Sequence, residues 1–434
     1  MGSNTPRGFV ADAKMRTRAL ATIASVGLTF TPATFAADAP TPAAAAPLKV
    51  VMLPIRAQVT RVGLVKTEEV ADWSAAARAN LDVALHEVVA QSSALELTAL
   101  PAVSAEEMGA IDEFVAVANL ATIQFGGACW SGGAGAPRAT ADLALGPSLS
   151  FLRERAGADY AFGTYAVQVE QSKSLASVGT ILTLSPLAGV YYYTLPTVSC
   201  SYVATFVAKL DTGELHWFNT ESGYEVGGFN FSDLRDVKSA RKMVGKVLGT
   251  YPEEPPDKDG KEAREAGPTR PVSPEQGEFA VRVPAGWIVT YHDNRIRATR
   301  DGRALNEINV ELRDHQRSFL EIGRRSTRYT SAETLGGWFV EHLEQEKLPE
   351  LQVIDVSTDA QLVGKPAFRV HYTYRLPDFA GGARVELVTI GTAVPNGLLI
   401  ARLDAPQLVY FPKALPVFEE AVRSIALKPR RHLH

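Results

Sequence analysis

A few places in the sequence carry residue types that do chemistry. Asp211-Thr212-Gly213 matches the core of the aspartic-protease motif, whose chemistry needs two carboxylates sharing one proton. A second Asp-Thr-Gly is absent, and Glu214 stands where a small residue is usual. Gly213 supplies a left-handed position, so the stretch predicts a hairpin turn. His86-Glu87 opens the helical His-Glu-x-x-His zinc pattern, but residue 90 is Ala. That site depends on two histidines one turn apart, so His86 is expected on a helix surface. His432 and His434 make a His-x-His in the tail "KPRRHLH", read as a frayed end. Arg324, Arg325 and Arg328 form a small basic cluster, read as a solvated face.

The loop "FGGACWSGGAGAP" holds Cys129, Trp130 and Ser131 among glycines. No Gly-Lys-Ser/Thr follows to cradle a phosphate, and no Gly-x-Gly-x-x-Gly follows a strand. Cys129 takes the first glycine position of a nucleophile elbow around Ser131, so that motif fails too. No catalytic, cofactor-binding or metal-ligating set is assigned, and the chain is not expected to be an enzyme. Cys129 and Cys200 are the only cysteines. In an oxidising compartment they are a candidate disulfide; two unrelated buried thiols are the alternative.

The elements that would position such residues begin after a leader. "MRTRALATIASVGLTFTPATFAADAP" runs from two arginines through an apolar stretch to small residues, the order of a secretory signal. Residues 1–36 are assigned to it, with Met15 an alternative start to Met1, and 37–47 to an Ala/Pro tether. The formal net charge of −4 is mixed along the chain, which excludes the basic stripe of a nucleic-acid binder. The mature chain is expected in the periplasm or at the outer membrane.

From Leu48 the pattern alternates strands and helices. "LKVVMLPI" is a buried strand, and Val70, Trp73, Ala77, Leu81, Leu85 and Val88 share a helical face. "LELTALP" is a short strand, and Ser104 with Glu107 forms a capping box for a second helix. "GPSLSFLRERAG" is a third helix, and strands follow at "ADYAFGTYAVQVEQ" and on both sides of Asp211–Glu214. Ser232 opens a last helix. Residues 252–277, rich in Pro and charge, read as a disordered linker. Beyond it come strands at "FAVRVPAGWIVTYHDNRIRATR", "LNEINVELRD", "AFRVHYTYRLP" and "ARVELVTIGTAVPNGLLIARLDAP". A helix through Leu335, Phe339 and Leu343, and a final one at "FPKALPVFEEAVRSIAL", complete the pattern. The fold class is α+β: two α/β sandwich-type domains, 48–251 and 278–428, and a basic tail 429–434.

The uncharged run 174–208 contains "VGTILTLSPLAGVYYYTLP". It is long enough for a membrane helix at about 20 residues, but Pro186 and Gly189 interrupt it and its flanks favour extended chain. Strand–turn–strand is the reading. Tyr191, Tyr192 and Tyr193, with Trp130, are candidate partner or membrane contacts. Packing on the home domain, contact with a partner and insertion as a membrane hairpin all stay open.

"KVVMLPI", "ERAGADYAFGTY" and "VAKLDTGELHW" resemble elements of the α/β module shared by the curli-secretion lipoprotein family and the amino-terminal domain of the Tol-system propeller protein. The lipidated cysteine typical of the curli branch is missing here. "FAVRVPAGW" and "FEEAVRSIAL" resemble the α/β/α sandwich of PsbP-type extrinsic photosystem proteins and their bacterial relatives. These resemblances imply an assembly or docking module followed by a binding module, without an active site. Self-association or an envelope protein partner is expected, no nucleic acid, and no cofactor. The alternative is an oligomeric outer-membrane transport component inserting the 174–208 hairpin; less favoured is a hydrolase with an unrecognised site.

Overall fold

The structure, a computed structural model, describes residues 47–62, 67–92, 94–126, 143–171, 199–224, 232–249, 267–274, 278–292, 294–377 and 382–428. The chain is α+β. Its first sheet is built on a central 12-residue strand, β5 (Tyr160–Gln171). Strand β1 (Leu48–Met52) and strand β2 (Arg56–Val62) lie end to end along one side of β5, both parallel to it. Outside them, β4 (Leu95–Thr98) pairs with β1 and β3 (Thr67–Glu69) with β2. On the other side run β6 (Cys200–Lys209) and β7 (Leu215–Tyr224) as an antiparallel hairpin. Its turn is the Asp211–Glu214 stretch, with Gly213 at φ +68°. A Cβ there would meet the Gly146 carbonyl oxygen at 2.2 Å, so glycine is required for conformation and for space.

Helices cover both faces of this sheet. Helix α1 (Ala71–Ala90) buries Ala77, Leu81, Ala84 and Leu85 and packs with α4 (Val237–Leu248) over Val50, Phe162, Val203 and Val207. Helix α2 (Ala105–Gly126) covers the opposite face with Phe114, Val117 and Ala121. The capping box forms as expected: Ser104 N–H donates to Glu107 Oε2 at 2.8 Å and Glu107 N–H to Ser104 Oγ at 3.2 Å. Helix α3 (Phe151–Ala156) stops at Gly157, which is left-handed. The helix expected to open at Ser232 begins instead at Val237, because the Asp236 side chain caps the Ser239 N–H.

Part of the stretch read as linker is ordered. Gly267–Val272 forms β8, which pairs with β9 (Phe279–Ala285) at the edge of a three-stranded sheet. An edge position tolerates Pro268 and Pro271, which lack a donor for a further ladder, and Val272 is buried. The remaining strand of that sheet is β17 (Ala426–Leu427).

The second large sheet is antiparallel. It comprises β10 (Ile288–His292), β11 (Arg295–Thr299), β12 (Glu307–Arg313), β13 (Gln352–Leu362), β14 (Lys365–Arg375), β15 (Arg384–Val394) and β16 (Gly397–Pro406). Their order is β10-β11-β12-β16-β15-β14-β13. One face carries α5 (Ala332–Gln345), whose Phe339 packs against Phe368 and Tyr372. The other carries α6 (Tyr410–Arg423), whose Phe411 stacks on His371 at 5.6 Å. Side-chain alternation along β14 puts residues 368, 370 and 372 towards α5 and 371 towards α6.

Within the unit 46–434, one apolar cluster runs from α2 into the second sheet. Polar contacts follow it. Glu113 of α2 accepts the Arg384 backbone N–H at 2.8 Å and an Arg375 N–H at 3.4 Å. Burial pushes its carboxyl up, against the pull of that N–H and the two guanidinium groups.

Candidate functional site

The site arises from a misfit between neighbouring strands. Met52 pairs with Phe162 and Arg56 with Tyr165. Three residues on the outer strand, Leu53-Pro54-Ile55, therefore face two on β5. This is a bulge, a device common beside functional sites, and Pro54 suits it because it has no N–H to lose. The Leu53 N–H still reaches the Phe162 carbonyl at 2.9 Å, so β1 and β2 stay in line.

The rank outside them is interrupted. The β4 register ends at Val51↔Thr98, and β3 begins at Thr60↔Glu69. Helix α1 closes part of this gap, its Ser74 hydroxyl accepting the Val59 N–H at 2.9 Å. What is left is an open groove of about 670 Å³. Met52, Leu53, Pro54 and Ile55 floor it, Leu97–Leu100 form one wall, and Arg78, Ala79, Asp82 and His86 of α1 form the other. Most of the apolar lining is only half-buried: Met52, Pro54, Ile55, Leu97 and Leu100 keep surface exposed to solvent. The groove lies beyond the carboxyl ends of the parallel strands β1 and β4, where open α/β sheets receive ligands.

Its polar groups are unequal. His86 and Asp82 are engaged with each other, the His86 Nδ1 lying 2.9 Å from the Asp82 carbonyl oxygen and 3.6 Å from its carboxylate. Arg78 is exposed and has no ion-pair partner among the described residues. It also borders a smaller polar cavity of about 120 Å³, lined by Arg56, Gln58, Glu69, Asp112 and Tyr165. There Arg56 pairs with Asp112. Among the described residues, the arrangement offers an apolar floor with Arg78 outside any ion pair at its lip. It holds no nucleophile beside a base.

A second concentration of charge lies under α5. Across β11, β12, β16 and β15 one rung reads Arg297, Asn309, Arg402, Thr389; the next, starting on β12, reads Glu307, Asp404, Leu387 and ends at Tyr372 of β14. Arg402 pairs with Asp404 at 2.9 Å, Arg303 with Glu307 at 2.7 Å and Arg297 with Glu307 at 3.7 Å. Burial, reinforced by Glu307 and opposed by Arg402 and Arg297, pushes the Asp404 carboxyl up to about 6. Burial also raises the Tyr372 hydroxyl. These charges face one another inside the sandwich.

The residues singled out from sequence fall as follows. Asp211-Thr212-Gly213 is a turn, its Thr212 hydroxyl accepting the Glu214 N–H at 3.3 Å. His86 is on the helix surface and also lines the groove. Arg324, Arg325 and Arg328 are exposed, with Arg324 3.7 Å from Glu341. Cys200 is buried in β6. Cys129, Trp130, Tyr191, Tyr192, Tyr193, His432 and His434 lie outside the described residues. Among the described residues no three His, Cys, Asp or Glu side chains converge as metal ligands, and no helix is long and apolar enough to cross a membrane. Sequence reasoning missed Arg78 and the groove; the signal was Pro54 interrupting an apolar strand.

The sequence matches no family model, and no curated protein sequence matches it. Solved structures with a distant, partial likeness to this chain include the Ran-binding protein Mog1p of Saccharomyces cerevisiae, 13% identical, covering 37% of this chain and 96% of that one at a TM-score of 0.27. Cyanobacterial PsbP from Synechocystis is 12% identical, covering 37% and 93% at 0.27. LpqN, involved in cell envelope biogenesis of Mycobacterium tuberculosis, is 15% identical, covering 38% and 88% at 0.25.

Proposed function

We propose that this chain is a non-enzymatic binding module exported to the cell envelope, in the periplasm or against the outer membrane, and that the bulge groove is its ligand seat. The observation that carries the proposal is the half-exposed apolar floor with Arg78 at its lip, exposed and without an ion-pair partner among the described residues. Apolar surface left open in a concave site binds apolar matter, and an unpaired guanidinium at the rim selects an anionic head. The occupant is therefore amphipathic, an apolar body ending in a carboxylate, phosphate or sulfonate. The leader-like order of residues 1–36 and the sequence resemblances of 48–251 to curli-secretion and Tol-system modules and of 278–428 to PsbP-type proteins support this reading of location and of a lack of catalysis.

The probe is 8-anilinonaphthalene-1-sulfonate, whose fluorescence rises in apolar surroundings. Wild-type protein is expected to bind it at one site. Ala99→Trp, which fills the groove from an exposed position, is expected to abolish binding. Arg78→Ala is expected to weaken it about fivefold, on the order of one exposed ion pair. Equal binding by all three proteins, with unchanged circular dichroism, would remove the groove as the seat. Localisation is read separately by fractionation: extraction only by detergent, lost on deleting 178–196, would favour the membrane-inserting transport component.

A further inference from the structure

We propose that β13 is a docking edge for a basic, extended segment of a partner protein, which would add to the second sheet as an eighth strand. The proposal is independent of the groove. Strand β13 ends the sheet and pairs only with β14. Among the described residues, none of the backbone groups of Gln352–Leu362 bonds outside that ladder. Its 11 residues present about 36 Å of free edge at 3.3 Å per residue. The opposite edge, β10, has five residues.

Natural sheets seldom leave a long edge unguarded, because it is a template for pairing. Here Ile354 and Val356 keep 48% and 45% of their surface exposed, apolar cover that an added strand would extend over. Asp355 and Asp359 are exposed beside them, and no cation pairs with either among the described residues. The strand "QVIDVSTDAQL" contains no Lys or Arg, so two copies laid edge to edge would bring like charges together, which is unfavourable. Bulges between Val353 and Asp355 and between Ser357 and Ala360 add twist and further disfavour a flat self-pair. The same carboxylates attract a strand carrying Lys or Arg. In strand addition the backbone ladder supplies affinity and the side chains supply choice. The edge thus repels a second copy and fits a basic strand.

The test uses the full chain and two blocked octapeptides, alternating Val-Lys and alternating Val-Glu, with amide hydrogen exchange read over 352–362 and affinity read by fluorescence anisotropy. The Val-Lys peptide is expected to slow exchange in 352–362 and to bind about tenfold more tightly than Val-Glu, as two cross-strand charge pairs would give. The double variant Asp355→Lys with Asp359→Lys changes only exposed side chains and is expected to reverse the preference. Unchanged exchange over 352–362 with the Val-Lys peptide would overturn the proposal. So would equal affinity for both peptides, or protection that grows with protein concentration alone alongside a dimer mass, which would make a second copy the occupant.

Discussion

The groove on the first sheet and the charged rungs under α5 both carry charged side chains, yet they are opposite in design. Beneath α5 the ions, apart from the half-exposed Arg303, are largely buried and answer one another: Arg402 with Asp404, Arg303 and Arg297 with Glu307. At the groove the apolar surface is incomplete, and Arg78 has no ion-pair partner among the described residues. Buried ions without partners are too costly to keep, so internal pairing is what architecture demands. An exposed cation without a partner costs little to maintain, and its charge is available to something outside the chain. The perturbed acidity of Asp404 beneath α5 reflects burial among charges.

Three measurements sharpen this contrast. The largest effect is expected at Arg402→Leu, which leaves Asp404 without its cation and should lower stability by about 3–5 kcal/mol in urea denaturation. A loss no larger than that of a surface substitution would mean the rung is open to water. Next is the pH dependence of Asp404. Folding raises its carboxyl from 3.8 to about 6, so the folded state holds the proton more tightly. Its contribution to stability is then fully present below about pH 3.8 and is lost as the pH rises through about 6. The stability of Asp404→Asn relative to wild type should therefore climb across that interval, and a flat difference would contradict it. The smallest effect is expected at Arg78→Ala, whose stability should stay within about 0.5 kcal/mol of wild type. A large loss there would turn Arg78 into a structural residue and erase the contrast.

The α+β character was legible in the sequence because its cues are local. Ser104 and Glu107 announced the start of α2, and the Asp211–Glu214 turn announced a hairpin. Apolar spacing marked Leu335, Phe339 and Leu343. Strand β13 left no such mark: most of its residues are exposed, two bulges break its alternation, and period is what a strand reveals. The groove was hidden for a different reason. It depends on register between β1–β2 and β5, strands separated by about a hundred residues, and register is a relation no single segment carries. Arg78 carries no local mark of its own; the register brings it to the same groove as Pro54. The β8 strand was masked by composition, since prolines that signal a linker are also compatible with a sheet's outermost strand.

The bulge at Leu53-Pro54-Ile55 has a further consequence. It is a surplus of a single residue over the two that β5 spends on the same span. Losing that residue would let β1 and β2 run as one unbroken strand and draw β4 and β3 towards a common line. The slot would narrow without any lining side chain being replaced. Chain length at one position, more than the chemistry of the walls, is what would let relatives of this protein gain or lose the cleft in a single insertion or deletion.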